Sequence, residues 1–307
     1  MRAEGQATVV IPTFHRVDHL GETLAPLLAD PATAEVLVVD DGLDDAATRF
    51  VRSLPDPRLK AICVENGGQG RARQIGLERA IGTVVVFIDD DVVAEAGLIS
   101  GHVRLAERGK VVLGYMPTPQ PKRRVGAFAT NHYIRHYEEH CHRWARNPES
   151  VLAHFWSGNF SMMREDALRV GVHNPAANLR YHEDFEFGLR CREAGLRAVF
   201  APDLRARHAH EFTPSQFVAN ARKQGRDWPV IHALHPELGP FTLDHVCSGR
   251  AGPVIRATRR SGGYRLSKCL RPLAFVEPIA EILARIEHQQ GALEALRGQG
   301  LQSAGGD

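Results

Sequence analysis

The sequence predicts an α/β fold, with a mostly parallel central sheet flanked by helices and a helical extension at its C-terminal end. Three observations carry that expectation. Short apolar runs alternate with helix-like stretches between residues 8 and 115, the pattern of strand–helix repeats. The runs are continuously apolar, as strands buried on both faces must be. Two of them end in carboxylates, Asp40–Asp41 and Asp89–Asp90–Asp91, at the strand end where open α/β sheets take their ligands.

The first strand spans 8–11. Pro12, which lacks an N–H, ends its ladder, and Thr13 follows. Asp18 is the expected cap of a helix of about ten residues that turns Leu20, Leu24, Leu27 and Leu28 to one side. The second strand, 36–39, runs into Asp40 and Asp41, with Gly42 for a tight turn. A third strand, 59–64, leads through the glycine-rich turn 66–70 into a helix over 71–80. Arg71 and Arg73 near its start oppose the helix dipole, which suits either an anionic partner or solvated arginines. The glycines do not make a Walker loop, and no GxGxxG follows the first strand.

Residues 83–88 form a strand that ends in three carboxylates. Their mutual repulsion calls for an offsetting charge. A divalent cation carrying phosphate oxygens would supply it; a solvated acidic loop is the alternative. A helix over 97–108 and a strand over 110–115 complete this half.

The pattern then changes. A loop holds Pro117, Pro119, Pro121, Lys122, Arg123 and Arg124, and an aromatic helix follows over 129–146. His132, His136 and His140 recur at i+4 on it. A histidine face is preferred there to a second metal site, because no carboxylate or cysteine arrangement completes one. Trp156 beside Gly158 and Asn159 suits a pocket floor or plain core. A short helix starts near Arg164 and ends by Gly171.

A helix over 183–194, stopped by Gly195, has Glu183 and Asp184 in its first turn. An ionised carboxylate there is a candidate base or simple dipole complementarity. A strand over 197–202 follows. His208 and His210 alternate, so in extended chain they point the same way and could join an aspartate on a divalent ion. A helix over 214–225, an irregular stretch over 229–242, a basic stretch over 250–271 and an amphipathic helix over 277–297 lead to a glycine-rich tail expected to be disordered. The basic stretch suits phosphates, a membrane surface or a solvated face.

The totals bound the function. The chain has 307 residues, 43% of them hydrophobic, enough for one large domain with appendages or for two. A net charge of +2 gives no global case for nucleic acid. Five scattered cysteines without a CxxC pair suggest reduced thiols. No stretch approaches the ~18 apolar residues of a membrane span, and no secretory signal is read at the start. A cytoplasmic protein is expected, with peripheral membrane contact and a homodimer left open.

Together these stretches resemble an inverting family-2 glycosyltransferase with the GT-A nucleotide-diphospho-sugar transferase fold. The resemblance covers about residues 7–225 and rests on Val9–Val10–Ile11–Pro12–Thr13–Phe14, Val38–Val39–Asp40–Asp41–Gly42, Phe87–Ile88–Asp89–Asp90–Asp91 and His182–Glu183–Asp184. Residues 70–76 resemble the family's early helix, with Gln74 where asparagine is usual. Pro202 followed by His208 resembles its late metal-histidine segment.

The resemblance implies a catalytic domain over 1–235, with a nucleotide-binding half over 1–115 and an acceptor-side half over 116–235, then an extension over 236–307. It implies donor contacts at Pro12, Thr13, Asp41, Arg73, Asp89 and Asp90, with Thr13 and Asp41 at the nucleobase. Mn2+ or Mg2+ would sit on Asp91 and His208, with His210 as the nearby substitute. Asp184 would be the general base, and Trp156, Gly158, Asn159 and Glu183 would face sugar and acceptor. The implied donor is a nucleotide sugar, a UDP-sugar for preference. The implied acceptor is a small molecule, a glycan or a lipid-linked sugar. A retaining GT-A enzyme and a non-catalytic sugar-nucleotide-binding protein are the alternatives.

Overall fold

A computed structural model describes residues 6–43, 45–122, 125–243 and 269–298. The expected disordered tail and most of the basic stretch, up to Lys268, lie outside the described residues. The chain forms two compact units. One comprises Met1–Pro119, Ile134–Pro175 and Glu183–His210; the other comprises Gln120–Tyr133, Ala176–His182 and Glu211–Asp307.

The first unit is built on one eight-stranded sheet. The strands are β1 (Ala7–Thr13), β2 (Thr33–Asp40), β3 (Leu59–Cys63), β4 (Val84–Ile88), β5 (Val92–Ala94), β6 (Lys110–Tyr115), β7 (Asn159–Met163) and β8 (Arg197–His208). Their order is β3-β2-β1-β4-β7-β6-β8-β5. From β3 to β4 every pairing is parallel. Beyond β4 the sheet is mixed: β7 runs antiparallel to both β4 and β6, β8 parallel to β6, and β5 antiparallel to β8. β1 and β4 are buried at every residue, which is why their sequences are unbroken apolar runs. Phe87 and Phe160 stack across the β4–β7 pair at 4.6 Å between ring centroids.

β1 extends past its expected end. Pro12 does not stop it against β2, where Thr13 still pairs with Asp40. The ladder with β4 ends at Val10–Phe87, so the missing N–H falls on the side already unpaired. β8 is 12 residues long rather than six, because its last residues pair with β5. Three residues are too few for β5 to be visible in sequence.

Around the sheet lie α1 (Leu20–Ala29), α2 (Ala46–Arg52), α3 (Gln69–Arg79), α4 (Leu98–Leu105), α5 (Ala127–Arg146), α6 (Ser150–Ala153), α7 (Arg164–Val170) and α8 (Glu183–Glu193); α5 passes from the second unit into the first at Ile134. Leu20, Leu24 and Leu27 of α1 are buried as expected. Asp18 is not its cap: the cap position is His19, which makes no side-chain bond to the helix. α2 and α6 had no sequence signal. α2 is held by Asp40, whose Oδ2 accepts from the N–H and hydroxyl of Thr48 at 3.0 Å each. Gly195 closes α8 with φ +75, the left-handed conformation glycine takes at a helix end.

In the second unit, α9 (Pro214–Leu234) pairs with α10 (Glu277–Gly298). A capping box between Thr213 and Gln216 starts α9. This helix runs nine residues beyond the expected stop, through Pro229. The i−4 bond lost at Pro229 falls on Gly225, where the backbone lies against His288 of α10; Gly291 lies equally close to Arg222. The contact leaves no room for a Cβ on either glycine. Arg222 donates to Glu287 at 2.7 Å, adding a charged bond between the two helices. This pairing draws α9 into a unit with the C-terminal segment, so the compact units interleave in sequence, whereas the expected division at 235 was contiguous. Buried Asp227 accepts from the N–H groups of Arg180, Tyr181 and His182 at 3.0, 2.7 and 3.1 Å, which pins the residues before α8.

Candidate active site

The C-terminal ends of β1, β2 and β4 bring Thr13, Asp40–Asp41 and Asp89–Asp91 to one edge of the sheet. At that edge the parallel order turns outward from β1 in both directions, the usual ligand position of such sheets.

Asp41 sits in a backbone cradle. Its Oδ1 accepts from Gly67 N and its Oδ2 from Gly68 N, each at 2.8 Å. Burial raises its pKa, and those two N–H groups work against the rise. Gly68 has φ +93, which lets successive N–H groups converge on the carboxylate. Thr13 lies beside Asp41 in the ladder, with Asp41 N donating to Thr13 O at 2.8 Å, but its hydroxyl is directed to Asp90 Oδ2 at 2.8 Å.

Each of the three consecutive aspartates has its own partners. Asp89 Oδ1 accepts from Arg73 Nη2 at 2.5 Å and from Gln69 Nε2 at 2.8 Å. Arg73 is buried, so it reaches the site by holding Asp89. Asp90 is buried; its pKa is pushed up to about 7 by burial, against the pull of Arg16. Asp91 is equally buried, yet bonding and charge from His208 and Arg16 hold it well below the usual carboxylate range.

The β5–β8 pairing sets His208 opposite Val92, one residue from Asp91. His208 Nε2 lies 3.4 Å from Asp91 Oδ1, and His210 Nδ1 lies 3.9 Å from Asp91 Oδ2. The Nδ1 of His208 meets the Thr118 hydroxyl at 2.9 Å. A partner on the far nitrogen is how a metal-ligating histidine is oriented. Burial, then the charge of Arg16, pushes His210 down to about 4, so its ring is neutral. One carboxylate with two imidazoles is a donor set that suits Mn2+ or Mg2+. The two rings stand 6.1 Å apart, centroid to centroid. Among the described residues Asp91, His208 and His210 do not yet close into one coordination sphere, because the Arg16 guanidinium stands between Asp91 and His210, 2.7 Å from the one and 3.1 Å from the other.

On the other side of Asp89, the turn before β7 links two acids. Ser157 N donates to Asp184 Oδ2 at 3.2 Å, and the next residue's carbonyl, Gly158 O, accepts from Asp89 N at 3.2 Å. Gly158 has φ +113, and a Cβ there would meet Met116 Sδ at 2.8 Å and Asp89 Oδ2 at 3.0 Å. Burial pushes Asp184 up to about 6, against N–H donors from Ser157 and Phe185 and the charge of Arg73. Glu183 lies over the start of α3, where a Cβ on Gly68 would be 3.4 Å from its Oε1.

Asn159 departs from the expectation that its side chain faces substrate. It is fully buried, with Oδ1 2.8 Å from His102 Nε2 and Nδ2 donating to Leu204 O at 3.0 Å. His102 Nδ1 meets the Ser161 hydroxyl at 2.8 Å. Burial pushes His102 down to about 4, so the ring is neutral and its Nε2 carries the proton that Asn159 accepts. This network braces the start of β7 from behind. Trp156 packs among His136, Tyr137 and His140 at 5.4–5.5 Å between ring centroids. His136 and His140 share a face, and burial, then the charges of His136 and His154, push His140 down to about 4. His132 instead lies against Phe217.

Sequence reasoning did not single out Arg16, Gln69, His102 or Thr118. Only Arg16 carried a signal, as a basic residue three positions after Thr13 on the acidic edge.

Comparison with known proteins identifies the family and the fold. The family described as "Glycosyltransferase like family 2" matches residues 5–228. Succinoglycan biosynthesis protein ExoO of Rhizobium meliloti (strain 1021) is 35% identical over 86 residues, which is 27% of this chain and 25% of that protein. Glycosyltransferase GlyA of Streptococcus pneumoniae is 30% identical over 94 residues, 30% of this chain and 14% of that one. The matches thus span a quarter or less of these relatives. A mannosyltransferase from Pyrobaculum calidifontis, solved with GDP-Man and Mn2+, superposes with a TM-score of 0.55 at 18% identity, covering 99% of this chain and 76% of that one. GalNAc-T7, solved with UDP, GalNAc and Mn2+, gives 0.53 at 15% identity, covering 85% and 55%. TarS of S. aureus gives 0.51 at 16% identity, covering 97% and 93%. No described helix is long and apolar enough to cross a membrane. The match over residues 5–228 makes this chain a member of glycosyltransferase-like family 2, and its superposition on solved glycosyltransferases gives it the GT-A fold.

Proposed function

We propose that the protein transfers a sugar from a nucleoside-diphosphate sugar to an acceptor hydroxyl, inverting the anomeric carbon, with Asp184 as general base. One observation carries this reading: in the Ser157–Gly158 turn the Ser157 N–H donates to the Asp184 carboxylate and the Gly158 carbonyl accepts from the backbone N–H of Asp89. A base and the acids of a diphosphate site are thereby held on one short piece of chain.

Asp184, pushed up to about 6, is a stronger base than an ordinary aspartate and is ionised at neutral pH. It accepts the proton as the acceptor oxygen attacks from the face opposite the diphosphate. A single displacement of that kind inverts the centre. Asp91 with His208 and His210 would hold a divalent ion, which when bound stabilises charge on the departing diphosphate. The buried Arg73 and the exposed Gln69 hold Asp89 in place, so that edge is organised before donor arrives. Asp41 would accept from a nucleobase N–H.

UDP-sugars are the first donors to test and GDP-mannose the second, since solved proteins of this fold carry UDP and GDP-Man. The test is nucleoside diphosphate release from each donor, with the product's anomeric configuration read by NMR. The reading expects release that depends on Mn2+ or Mg2+ and an inverted product. A product of retained configuration would remove Asp184 from the role of base.

A further inference from the structure

Arg16 lies in the turn between β1 and α1, three residues after Thr13. Its carbonyl lies 3.2 Å from the Thr13 hydroxyl oxygen, and the residue before it, His15, has φ +54. The guanidinium reaches back over the edge of the sheet. Nη2 donates to Asp91 Oδ2 at 2.7 Å and lies 3.1 Å from His210 Nδ1, and Nη1 lies 3.3 Å from Asp90 Oδ1. One nitrogen therefore bridges an aspartate and an imidazole whose own atoms are 3.9 Å apart. The side chain is 38% exposed, so unlike Arg73 it is not locked in by packing.

An arginine cannot shed its charge. A divalent ion on Asp91 and a guanidinium bonded to the same carboxylate would repel each other strongly in this low-dielectric setting. The two occupy Asp91 by turns. An arginine displaced from Asp91 keeps its backbone anchor, and the new negative charge within its reach is the diphosphate that arrives with the ion. Guanidinium–phosphate pairing is geometrically favourable.

We infer that Arg16 is an exchangeable counter-ion: it holds Asp90, Asp91 and His210 together before donor binds, gives way to the metal, and then pairs with the donor's phosphates. The inference rests on Asp91 as a cation ligand. It makes binding of metal and nucleotide mutually dependent, because metal alone must displace Arg16 without supplying it a new partner.

The experiment is Mn2+ binding in the absence of nucleotide, followed by EPR of free Mn2+, and then UDP and GDP binding at saturating Mn2+ by calorimetry. Wild type is compared with Arg16→Met, Arg16→Lys and Asp91→Ala. Arg16→Met should bind Mn2+ alone about tenfold more tightly, and should bind the nucleotide that wild type takes about tenfold more weakly. Arg16→Lys, which keeps a charge, should lie near wild type in the first measurement. If Arg16→Met lowers Mn2+ affinity or leaves it unchanged, the exchange is wrong. Unweakened nucleotide binding in the same variant overturns the transfer to phosphate. Mn2+ affinity unaffected in Asp91→Ala places the fault in the cation site itself rather than in the arginine. Should Arg16→Met fold poorly, the Mn2+-induced rise in Tm keeps the claim falsifiable: it must be larger in the variant than in wild type.

Discussion

The two ends of the same parallel strands neutralise buried acid in different ways. At the N-terminal end, Glu35 of β2 is almost fully buried. Its Oε1 accepts from the Thr8 hydroxyl at 2.7 Å and Ile81 N at 2.8 Å, and its Oε2 from Lys60 at 2.8 Å. Burial would raise its pKa, but these donors hold it below the ordinary value. Two of these three donors, a backbone N–H and a β-strand hydroxyl, are fixed by the sheet, and the third, Lys60, is a half-exposed side chain. At the C-terminal end, Asp90 and Asp91 rely on Thr13, His208 and the half-exposed side chain of Arg16. One acid with three donors of its own is held below its ordinary pKa, whereas of two adjacent acids that share one guanidinium, Asp90 is driven up to about 7 by burial.

The comparison can be sharpened by mutation. The largest effect should come from Asp184→Asn at the site end. Turnover should fall by about 10²–10⁴-fold, the usual contribution of a general base, while donor affinity measured by calorimetry stays within about twofold. With Asp184 raised to about 6, its protonated form gains below that pH and cannot act as base. In wild type, kcat/KM should be flat above about pH 6 and fall tenfold per unit below it.

At the opposite end, Glu35→Ala should cost about 3 kcal/mol of unfolding free energy in urea, because the Thr8 hydroxyl and Ile81 N–H lose their acceptor in a buried setting. The kcat of the protein that remains folded should be unchanged. A loss of kcat without loss of stability would break the distinction between the two ends.

The remaining test is Asp90→Asn. A carboxyl raised from 3.8 to about 7 on folding keeps a proton that the unfolded chain releases, so stability falls as pH rises between those values and the penalty is complete above 7. The variant should therefore have a higher Tm than wild type at pH 8 and no advantage at pH 4.

Much of this was legible in the chain itself. β1, β2 and β4 announced themselves because burial on both faces demands continuous apolar runs, and the carboxylates at the ends of β2 and β4 marked the candidate ligand edge. Asp184 was visible as an acid in the first turn of a helix. What could not be read depended on contacts between distant segments. Three-residue β5 has no pattern of its own, yet its pairing with β8 is what sets His208 beside Asp91. Asn159 looked like a substrate contact until its partners, His102 and the Leu204 carbonyl, were seen 57 and 45 residues away. Arg16 carried only the signal of a basic residue near the acidic edge, because its partner Asp91 lies 75 positions further along the chain. α9 passes through Pro229, since its pairing with α10 outweighs one lost helical bond.

The most direct test of the cation-dependent nucleotide site is calorimetric titration of UDP, GDP, dTDP and CDP, each with and without Mn2+, into wild type and Asp91→Ala. The account predicts that a nucleoside diphosphate binds to wild type only with Mn2+, and that Asp91→Ala loses this binding while keeping its fold. Binding that is indifferent to Mn2+, or that survives in Asp91→Ala, would contradict it.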